Sequence, residues 1–210
     1  MLSGSANRKP ARRAPTRDRS KKVRAALLAA AREICLAEGA DAVSARRIAK
    51  AAGTSPMAIY VHFRNLDDLL HHVRMEGHAI LADYLKAPSN RLGPVRRVLE
   101  MQRAYYRFGI EHPNHYHLMF LVPQKSPPTR EAVQREIGTL LMLRDALVRG
   151  IDAGAVRDDL DPMILANQVW LQIHGLTSLT VLKLLVHTAP GHAEKLLEAT
   201  LENIERGLAP

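Results

Sequence analysis

The stretch Ser44–Phe63, SARRIAKAAGTSPMAIYVHF, decides the fold. It holds two short apolar-patterned segments separated by Gly53, and the second begins with Ser55 and Pro56. Ser44 and Ser55 are N-capping residue types, and Pro56 suits the first position of a helix. A helix, a tight turn and a second short helix form a helix-turn-helix, whose second helix enters the major groove of DNA. The stretch therefore indicates a nucleic-acid-binding unit.

The second segment has a narrow apolar face, formed by Ala58, Ile59 and Phe63. A helix that buried itself fully in a protein core would need a wider one. We therefore expect its remaining side chains to be presented outward. Phe63 is interpreted as a core residue, while Tyr60 could either pack in the core or keep its hydroxyl at the surface.

The rest of the chain has helical periodicity and no strand-like alternation. Gly39 is placed to end the first helix, and Asn65 to cap the fourth, with Asp67 and Asp68 in its first turn. The sequence predicts an all-α fold of about nine helices, with a small N-terminal bundle and a larger C-terminal one. The predicted ranges are 20–38, 45–52, 56–63, 66–86, 94–111, 113–121, 129–153, 161–187 and 191–207.

The positive charge is concentrated at the N-terminus. Residues 1–24 contain nine Lys/Arg and one acid, whereas residues 75–210 contain fifteen of each. This asymmetry is typical of a polyanion-binding arm joined to a neutral body. We expect residues 1–19 to form a disordered basic arm, 20–66 a helix-turn-helix domain, and 67–210 a ligand-binding and dimerisation domain.

Composition excludes several classes of protein. The sequence has no run of 18 apolar residues and no apolar segment after the basic N-terminus, so we expect no membrane span, no secretory signal and a cytoplasmic location. The single cysteine, Cys35, cannot form an internal disulfide and lies in an apolar helical stripe, which indicates core packing.

Residues 20–74 resemble the TetR family of transcriptional regulators. The resemblance is carried by AEGADAVS (37–44), by RRIAKAAGTSPMAIYVHFRNLDDLL (46–70) and by the acidic start of the fourth helix. FGIEHPNHYHLMF (108–120) and WLQIHGLTSL (170–179) look like a C-terminal subgroup of the family marked by Trp170, His174 and Gly175.

The resemblance implies roles for residues of the helix-turn-helix. Arg46 would contact a base, as arginine can grip guanine, and Tyr60 and His62 would bind the phosphate backbone. Family members usually carry a lysine at the start of the fourth helix, where this chain has Leu66, so Arg64 or Asn65 would have to substitute. The expected DNA-contacting residues are Arg24, Ser44, Arg46, Ser55, Pro56, Met57, Ala58, Tyr60, His62 and Arg64.

The family also implies a homodimer and an effector pocket in the C-terminal part. The expected dimer contacts lie on the last two helices: Val169, Ile173, Leu176, Thr180, Leu184, Leu196, Leu197, Thr200 and Ile204. Periodicity alone does not distinguish burial between subunits from burial within one. The expected pocket residues are Met101, Tyr105, Phe108, Tyr116, Met119, Phe120, Trp170 and His174, with Gln168 and Gln172 as further polar groups; each could equally be ordinary core.

No enzyme, metal site or cofactor is expected. The sequence lacks a Gly-rich phosphate loop, a nucleophile motif and paired carboxylates at a useful spacing. The histidine clusters at 71–72 and 112–117 lack the i, i+4 spacing that a helical metal site favours. The sequence thus predicts a ligand-responsive transcriptional regulator, the family default being a repressor, that binds a palindromic operator as a homodimer. The alternative is a sequence-independent, nucleoid-type DNA-binding protein driven by the arm.

Overall fold

The computed structural model of the chain describes residues 16–123, 130–186 and 191–210, and this part is helical without a strand. The predicted all-α fold is confirmed. Within the described ranges there are nine α-helices: α1 (Thr16–Glu38), α2 (Ala45–Ala51), α3 (Met57–His62), α4 (Leu66–Lys86), α5 (Pro94–Glu111), α6 (Pro113–Tyr116), α7 (Arg130–Asp152), α8 (Pro162–Val181) and α9 (His192–Leu208). A 3₁₀ turn (Ala40–Ala42) follows α1, and a π-helical turn (His117–Leu121) follows α6.

Helices α1 to α3 and the first half of α4 pack around a small apolar core. Ile48, Ile59 and Phe63 are buried there, as the apolar stripes of α2 and α3 predict. Cys35 is also fully buried, and desolvation raises the pKa of its thiol to about 11. This core orients the two short helices, which are too short to be stable in isolation.

The turn between α2 and α3 closes on Gly53. Its φ of 62° is in the left-handed region, which glycine adopts without steric cost. The Gly53 N–H donates to the Lys50 carbonyl at 3.2 Å, and the Thr54 N–H donates to the Ala49 carbonyl at 2.9 Å. These bonds satisfy the last carbonyls of α2 and fix the direction in which the chain enters α3.

Two of the three predicted N-caps are confirmed. Ser44 Oγ accepts from the Arg47 N–H at 3.3 Å, and Asn65 Oδ1 accepts from the Asp68 N–H at 2.8 Å. The prediction that Ser55 caps α3 is wrong, because the helix begins at Met57 with Pro56 in the capping position and without a side-chain cap. Pro56 already has helical dihedral angles, so the boundary moves by one residue.

The start of α1 and the end of α8 differ from the predictions. Helix α1 begins at Thr16, so residues 16–19 of the expected arm belong to a helix, while residues 1–15 lie outside the described residues. Helix α8 ends at Val181 because Lys183 adopts a positive φ of 57°. The Leu184 N–H then donates to the Leu179 carbonyl at 2.8 Å, closing the helix without a glycine to signal the end in the sequence.

The larger body consists of α4 to α9 around a second core. Helix α5 is central, and Val98, Met101, Tyr105 and Phe108 bury its inner face. Gly109 allows α8 to approach, because a Cβ at this position would lie 2.2 Å from the Thr177 Cγ2 atom. None of the described helices is long and apolar enough to cross a membrane.

The two cores are joined by α4 and by the π-helical turn. Leu118, in the π-helical turn, is fully buried in the N-terminal core although it belongs to the body by sequence. The buried Arg74 of α4 donates to the carbonyl oxygens of Leu118, at 2.8 Å, and of Val122, at 3.2 Å. Asn114 of α6 also donates to the Leu36 carbonyl at the end of α1. The N-terminal bundle and the body therefore share structural elements.

Candidate nucleic-acid interface and internal cavity

Helix α3 presents an exposed face that no described part of the chain covers. Met57, Tyr60 and Val61 are 68%, 55% and 73% exposed, although all three are large and apolar or aromatic. Their spacing of three and four residues places them on one side of the helix, with Ile59 on the other. Exposed apolar side chains in a row indicate a binding surface.

Helix α2 carries two adjacent arginines in different situations. Arg47 forms an ion pair with Glu38 at 2.5 Å and donates to the Ala42 carbonyl at 3.1 Å. The hydrogen bond from Arg47 lowers the pKa of the Glu38 carboxyl. Arg46 is exposed and forms no ion pair or hydrogen bond with the described residues. The guanidinium of Arg46 is therefore available to bind an external group. That of Arg47 is held by its contacts with Glu38, at the end of α1, and with the Ala42 carbonyl.

The other expected DNA-contacting residues fall into two groups. Ser55 and Pro56 are exposed at the start of α3, while Ser44, Ala58 and His62 are half-buried. Arg24 and Arg64 instead have partners within the chain. Arg24 donates to His72 Nε2 at 2.8 Å and lies over the Phe63 ring at 4.8 Å, and Arg64 pairs with Asp68 at 3.2 Å.

The start of α4 lacks a free basic side chain. Leu66 packs against the N-terminal core, and Asn65 is used as the helix cap. Sequence reasoning missed Val61, an exposed residue of the α3 face, and Lys50, which is exposed on α2. The signal that could have found Val61 is its position, one residue after Tyr60 and four after Met57.

A cavity of about 290 Å³ lies inside the body. Residues from five elements line it: His78, Leu85, Gln102, Tyr105, Met119, Phe120, Glu136, Ile137, Thr139, Leu140, Leu143 and Trp170. The rings of Tyr105 and Trp170 lie 6.1 and 6.4 Å from that of Phe120 and form an aromatic wall. The lining is mostly apolar with a few polar groups, which is the usual composition of a small-molecule site.

A hydrogen-bonded network connects two residues of the aromatic wall to Tyr116 and His174. Trp170 Nε1 donates to the Tyr105 hydroxyl at 3.2 Å, and the hydroxyls of Tyr105 and Tyr116 lie 2.9 and 2.7 Å from His174 Nδ1. Burial raises the pKa of Tyr105 well above its usual value and that of Tyr116 to about 12, and it lowers the pKa of His174, so both tyrosines stay protonated and the imidazole is neutral at neutral pH. His174 Nδ1 can then accept a hydrogen bond from a tyrosine hydroxyl, which fixes the orientation of the wall.

His78 is the least satisfied polar residue of the lining. Only 6% of the residue is exposed, and its Nδ1 atom has no hydrogen-bond partner among the described residues. Burial lowers the pKa of His78 to about 4, opposed by the nearby Glu136 carboxylate. The ring is therefore neutral at neutral pH, and the polar residues of the lining are His78, Gln102, Glu136 and Thr139.

Half of the expected pocket residues line the cavity: Tyr105, Met119, Phe120 and Trp170. Tyr116 and His174 belong to the supporting network, while Met101 and Phe108 lie in the body core. Sequence reasoning missed His78, Leu85 and Gln102 and all five lining residues from α7. Within the described residues, no three side chains of metal-ligating type converge on one point.

Helix α8 is apolar on two faces. Val169, Ile173 and Leu176 are buried within the chain, and so is Ile204 of α9. The expectation that these four form a dimer contact is therefore wrong, because the body of their own chain already covers them. Leu196, Leu197, Thr180 and Thr200 are half-buried, whereas Leu184 is exposed. The uncovered face of α8 carries Ile164, Leu171 and Leu179, and Leu182 follows directly after the helix; these four residues are 40–62% exposed.

Comparisons with known proteins match both parts of the chain. A family model described as "Bacterial regulatory proteins, tetR family" matches residues 27–73. Another, described as "Tetracyclin repressor-like, C-terminal domain", matches residues 98–204, which is half of the chain. A search of curated proteins found no match.

Solved structures share the fold along nearly the whole chain. A protein of unknown function from Rhodococcus sp. RHA1 is 23% identical, with a TM-score of 0.74 over 90% of this chain and 96% of that one. The TetR family transcriptional regulator PfmR from Thermus thermophilus is 22% identical, with a TM-score of 0.63 over 88% and 99%. RolR, solved with the ligand resorcinol, is 15% identical, with a TM-score of 0.66 over 91% and 90%.

Proposed function

Because the chain belongs to the TetR family of transcriptional regulators, we propose that it is a repressor that binds a palindromic operator as a homodimer and leaves it when a small molecule enters the cavity. Its N-terminal part is the DNA-binding domain and its C-terminal part the ligand-binding domain. A regulator of this kind acts in the cytoplasm, where its operator lies.

A single observation carries the proposal: the cavity and the DNA-binding core share the π-helical turn. Met119 and Phe120 line the cavity, while the adjacent Leu118 is buried in the N-terminal core. On the opposite side, α4 supplies His78 to the cavity and Leu69 and Val73 to the N-terminal core. A ligand that moves Phe120 or His78 therefore displaces groups that support α2 and α3.

On DNA, the exposed face of α3 would enter the major groove. Met57 and Val61 offer apolar contact to thymine methyl groups, and Arg46 offers a bidentate contact to guanine. Tyr60 and His62 would bind phosphates and set the register without selecting a base. Arg24 and Arg64 already bind partners in the chain, so we assign them to positioning these helices.

Dimerisation would use the uncovered face of α8 together with α9. A helix that is apolar on two faces is typical of the interior of a protein, so the exposed row from Ile164 to Leu182 is best explained by burial against a second subunit. A two-fold axis there would place two α3 helices on half-sites about one turn of DNA apart, about 34 Å.

The effector would be small, largely apolar and uncharged or cationic. The aromatic wall favours a flat molecule, and Gln102, Thr139 and the neutral His78 offer hydrogen bonds from the lining. The Glu136 carboxylate in the lining disfavours a bound anion. Binding of resorcinol by RolR, a protein of the same fold, is consistent with this class of ligand.

The effector releases DNA only if it binds the DNA-incompetent conformation more tightly than the competent one. The test is a thermal-shift screen of small aromatic compounds, followed by operator release. Leu143→Trp fills the cavity with a larger side chain from a lining position. We expect this variant to bind the operator like the wild type and to ignore compounds that release the wild type; release of both proteins would place the effector elsewhere.

The competing function is sequence-independent DNA binding by the basic N-terminus. Binding-site selection from a random duplex library distinguishes the two, using the full chain and a variant lacking residues 1–15, which leaves α1 intact. Recovery of one palindrome by both proteins supports the regulator. Absence of an enriched motif, with binding lost as salt is added, supports the alternative.

A further inference from the structure

An open cleft of about 430 Å³ lies where α5 begins and α7 ends. It is lined by Asn90, Leu92, Pro94, Arg97, Ala146 and Arg149 and shares no residue with the lining of the cavity. Helix α5 runs from this cleft towards α6, which contacts α1. At 1.5 Å per residue, Arg97 is about 20 Å from the end of α5 nearest the DNA-binding domain.

The two arginines of the cleft have no paired acid in the part of the chain that the structure describes. The Nε and Nη1 atoms of Arg97 are buried and have no hydrogen-bond partner among the described residues. Neither Arg97 nor Arg149 forms an ion pair with any acid that the structure describes. The pKa of Arg97 is lowered by burial and by the like charge of Arg149, and no carboxylate opposes this effect.

The residues whose side chains the structure does not describe provide no acid close to this cleft. Among residues whose side chains fall outside the described set, only Glu131 is acidic. It lies 18 residues before Arg149 on the same helix, which corresponds to about 27 Å. No acid among the described residues forms an ion pair with Arg97 or Arg149.

The start of α5 adds to the positive potential. Its first turn contains no acid, and Gly93 provides no side-chain cap for the free N–H groups. A helix N-terminus carries a partial positive charge, which makes the nearby Arg97 less favourable still. Buried donors without acceptors and like charges side by side both cost free energy that a bound anion would recover.

We propose that this cleft binds a small oxyanion, a phosphate or carboxylate group held between Arg97 and Arg149. The planar guanidinium presents paired N–H donors that match the oxygens of either group. The bound anion bridges the start of α5 to the end of α7, the two helices that supply Gln102, Tyr105 and Leu143 to the cavity. This site is independent of the cavity and of the DNA-binding function proposed above.

The test is calorimetric titration of the full chain with inorganic phosphate, pyrophosphate or citrate, in a buffer without other oxyanions and at constant ionic strength. The variants are Arg97→Gln and Arg149→Gln. The matched control is Arg144→Gln on the same α7 helix, because Arg144 already pairs with Asp145. We expect the wild type and the control to bind one anion, and each cleft variant to bind at least about tenfold more weakly. Weak binding to the basic N-terminus is common to all four proteins and cancels.

The three ligands separate the possible sources of the anion. Preference for phosphate or pyrophosphate over citrate indicates a phosphate group, and the reverse order indicates a carboxylate. Equal affinity in the wild type and both cleft variants, or no binding by any of them, overturns the proposal. If Arg97→Gln does not fold, the anion affinity of Arg149→Gln tests the proposal, because Arg149 is exposed and its substitution should not prevent folding. Without anion, Arg149→Gln should melt no lower than the wild type, because it removes a repulsion; a lower Tm would mean that Arg149 has an internal partner and would refute the site.

Discussion

The guanidinium of Arg74 donates to the carbonyl oxygen of Leu118 across 2.8 Å, although 44 residues separate them in the chain. The same side chain is 99% buried and reaches the Val122 carbonyl as well. Asp67 is its nearest described acid, at 3.9 Å. This contact connects the π-helical turn, which forms part of the cavity wall, to α4, whose Leu69 and Val73 pack in the core of the DNA-binding domain.

Replacing Arg74 by methionine should destabilise the protein by about 3 kcal/mol. The change removes charged hydrogen bonds to two carbonyls and the 3.9 Å ion pair with Asp67. Urea unfolding measures the loss. The control is Arg32→Met, which breaks a partly exposed 3.8 Å pair with Glu76 and should cost less than about 1 kcal/mol. Equal losses in the two variants would contradict a special role for Arg74.

Arg46→Ala should weaken operator binding by about 1 to 3 kcal/mol and relax the preference at one base position, because a bidentate contact to guanine is lost. Binding-site selection before and after the change measures this. Arg47→Ala is the control, since its side chain is occupied by Glu38 and the Ala42 carbonyl. An unchanged base preference in Arg46→Ala would remove Arg46 as a base contact.

Tyr60→Phe should weaken binding to all DNA sequences alike. The hydroxyl belongs to a 55% exposed side chain and has no partner in the described chain, so we assign it to a phosphate. Fluorescence anisotropy with cognate and scrambled duplexes measures the two affinities, and the thermal stability should stay the same. A loss confined to the cognate duplex would show instead that Tyr60 selects a base.

Gly109→Ala should cost about 1 to 3 kcal/mol, because the new methyl group would lie 2.2 Å from Thr177 Cγ2. Thr177→Ser removes that methyl and keeps the hydroxyl that donates to the Ile173 carbonyl, so the double variant should recover much of the loss. Gly207→Ala on α9 meets no atom within 4 Å and should be neutral or slightly stabilising. Thermal unfolding of the four proteins checks this, and a failure of Thr177→Ser to rescue would refute the packing explanation.

His78 should make the protein acid-sensitive. Its pKa is lowered from 6.5 to about 4 in the folded state, so its contribution to stability is present above pH 6.5 and is lost as the pH falls to about 4. A shift of this size corresponds to on the order of 3 kcal/mol. His78→Phe keeps the ring against Phe120 and should reduce the stability difference between pH 7 and pH 5 measured by urea unfolding. Part of the difference should remain, since burial also lowers the pKa of His71, His115 and His174. An identical pH dependence would contradict the assignment.

The helix-turn-helix was predictable because its determinants are local. The capping by Ser44, the turn at Gly53 and the inward positions of Ile48 and Ile59 all follow from residues within one or two turns. The sequence did not predict that Arg47 forms an ion pair while Arg46 has no partner among the described residues. That difference depends on Glu38, at the end of the preceding helix.

The cavity and the uncovered apolar face of α8 were less predictable because they depend on tertiary packing. Helical periodicity identifies apolar faces but does not state what covers them. In α8, both faces are apolar, and the buried one was the face selected from the sequence. The lining residues of α7 gave no signal of their own, since Ile137, Leu140 and Leu143 have an ordinary helical spacing.

The burial of Leu118 in the N-terminal core has a consequence for engineering hybrid regulators. A chimera could join this body to another DNA-binding domain at residue 66. Leu118 of the body would then be buried in the core of a DNA-binding domain from a different protein. The fit of that domain would depend on Leu118 and on the carbonyls that Arg74 binds. A functional graft would therefore have to exchange the N-terminal half of α4 and the π-helical turn together with residues 16–65, as two separate segments of one module.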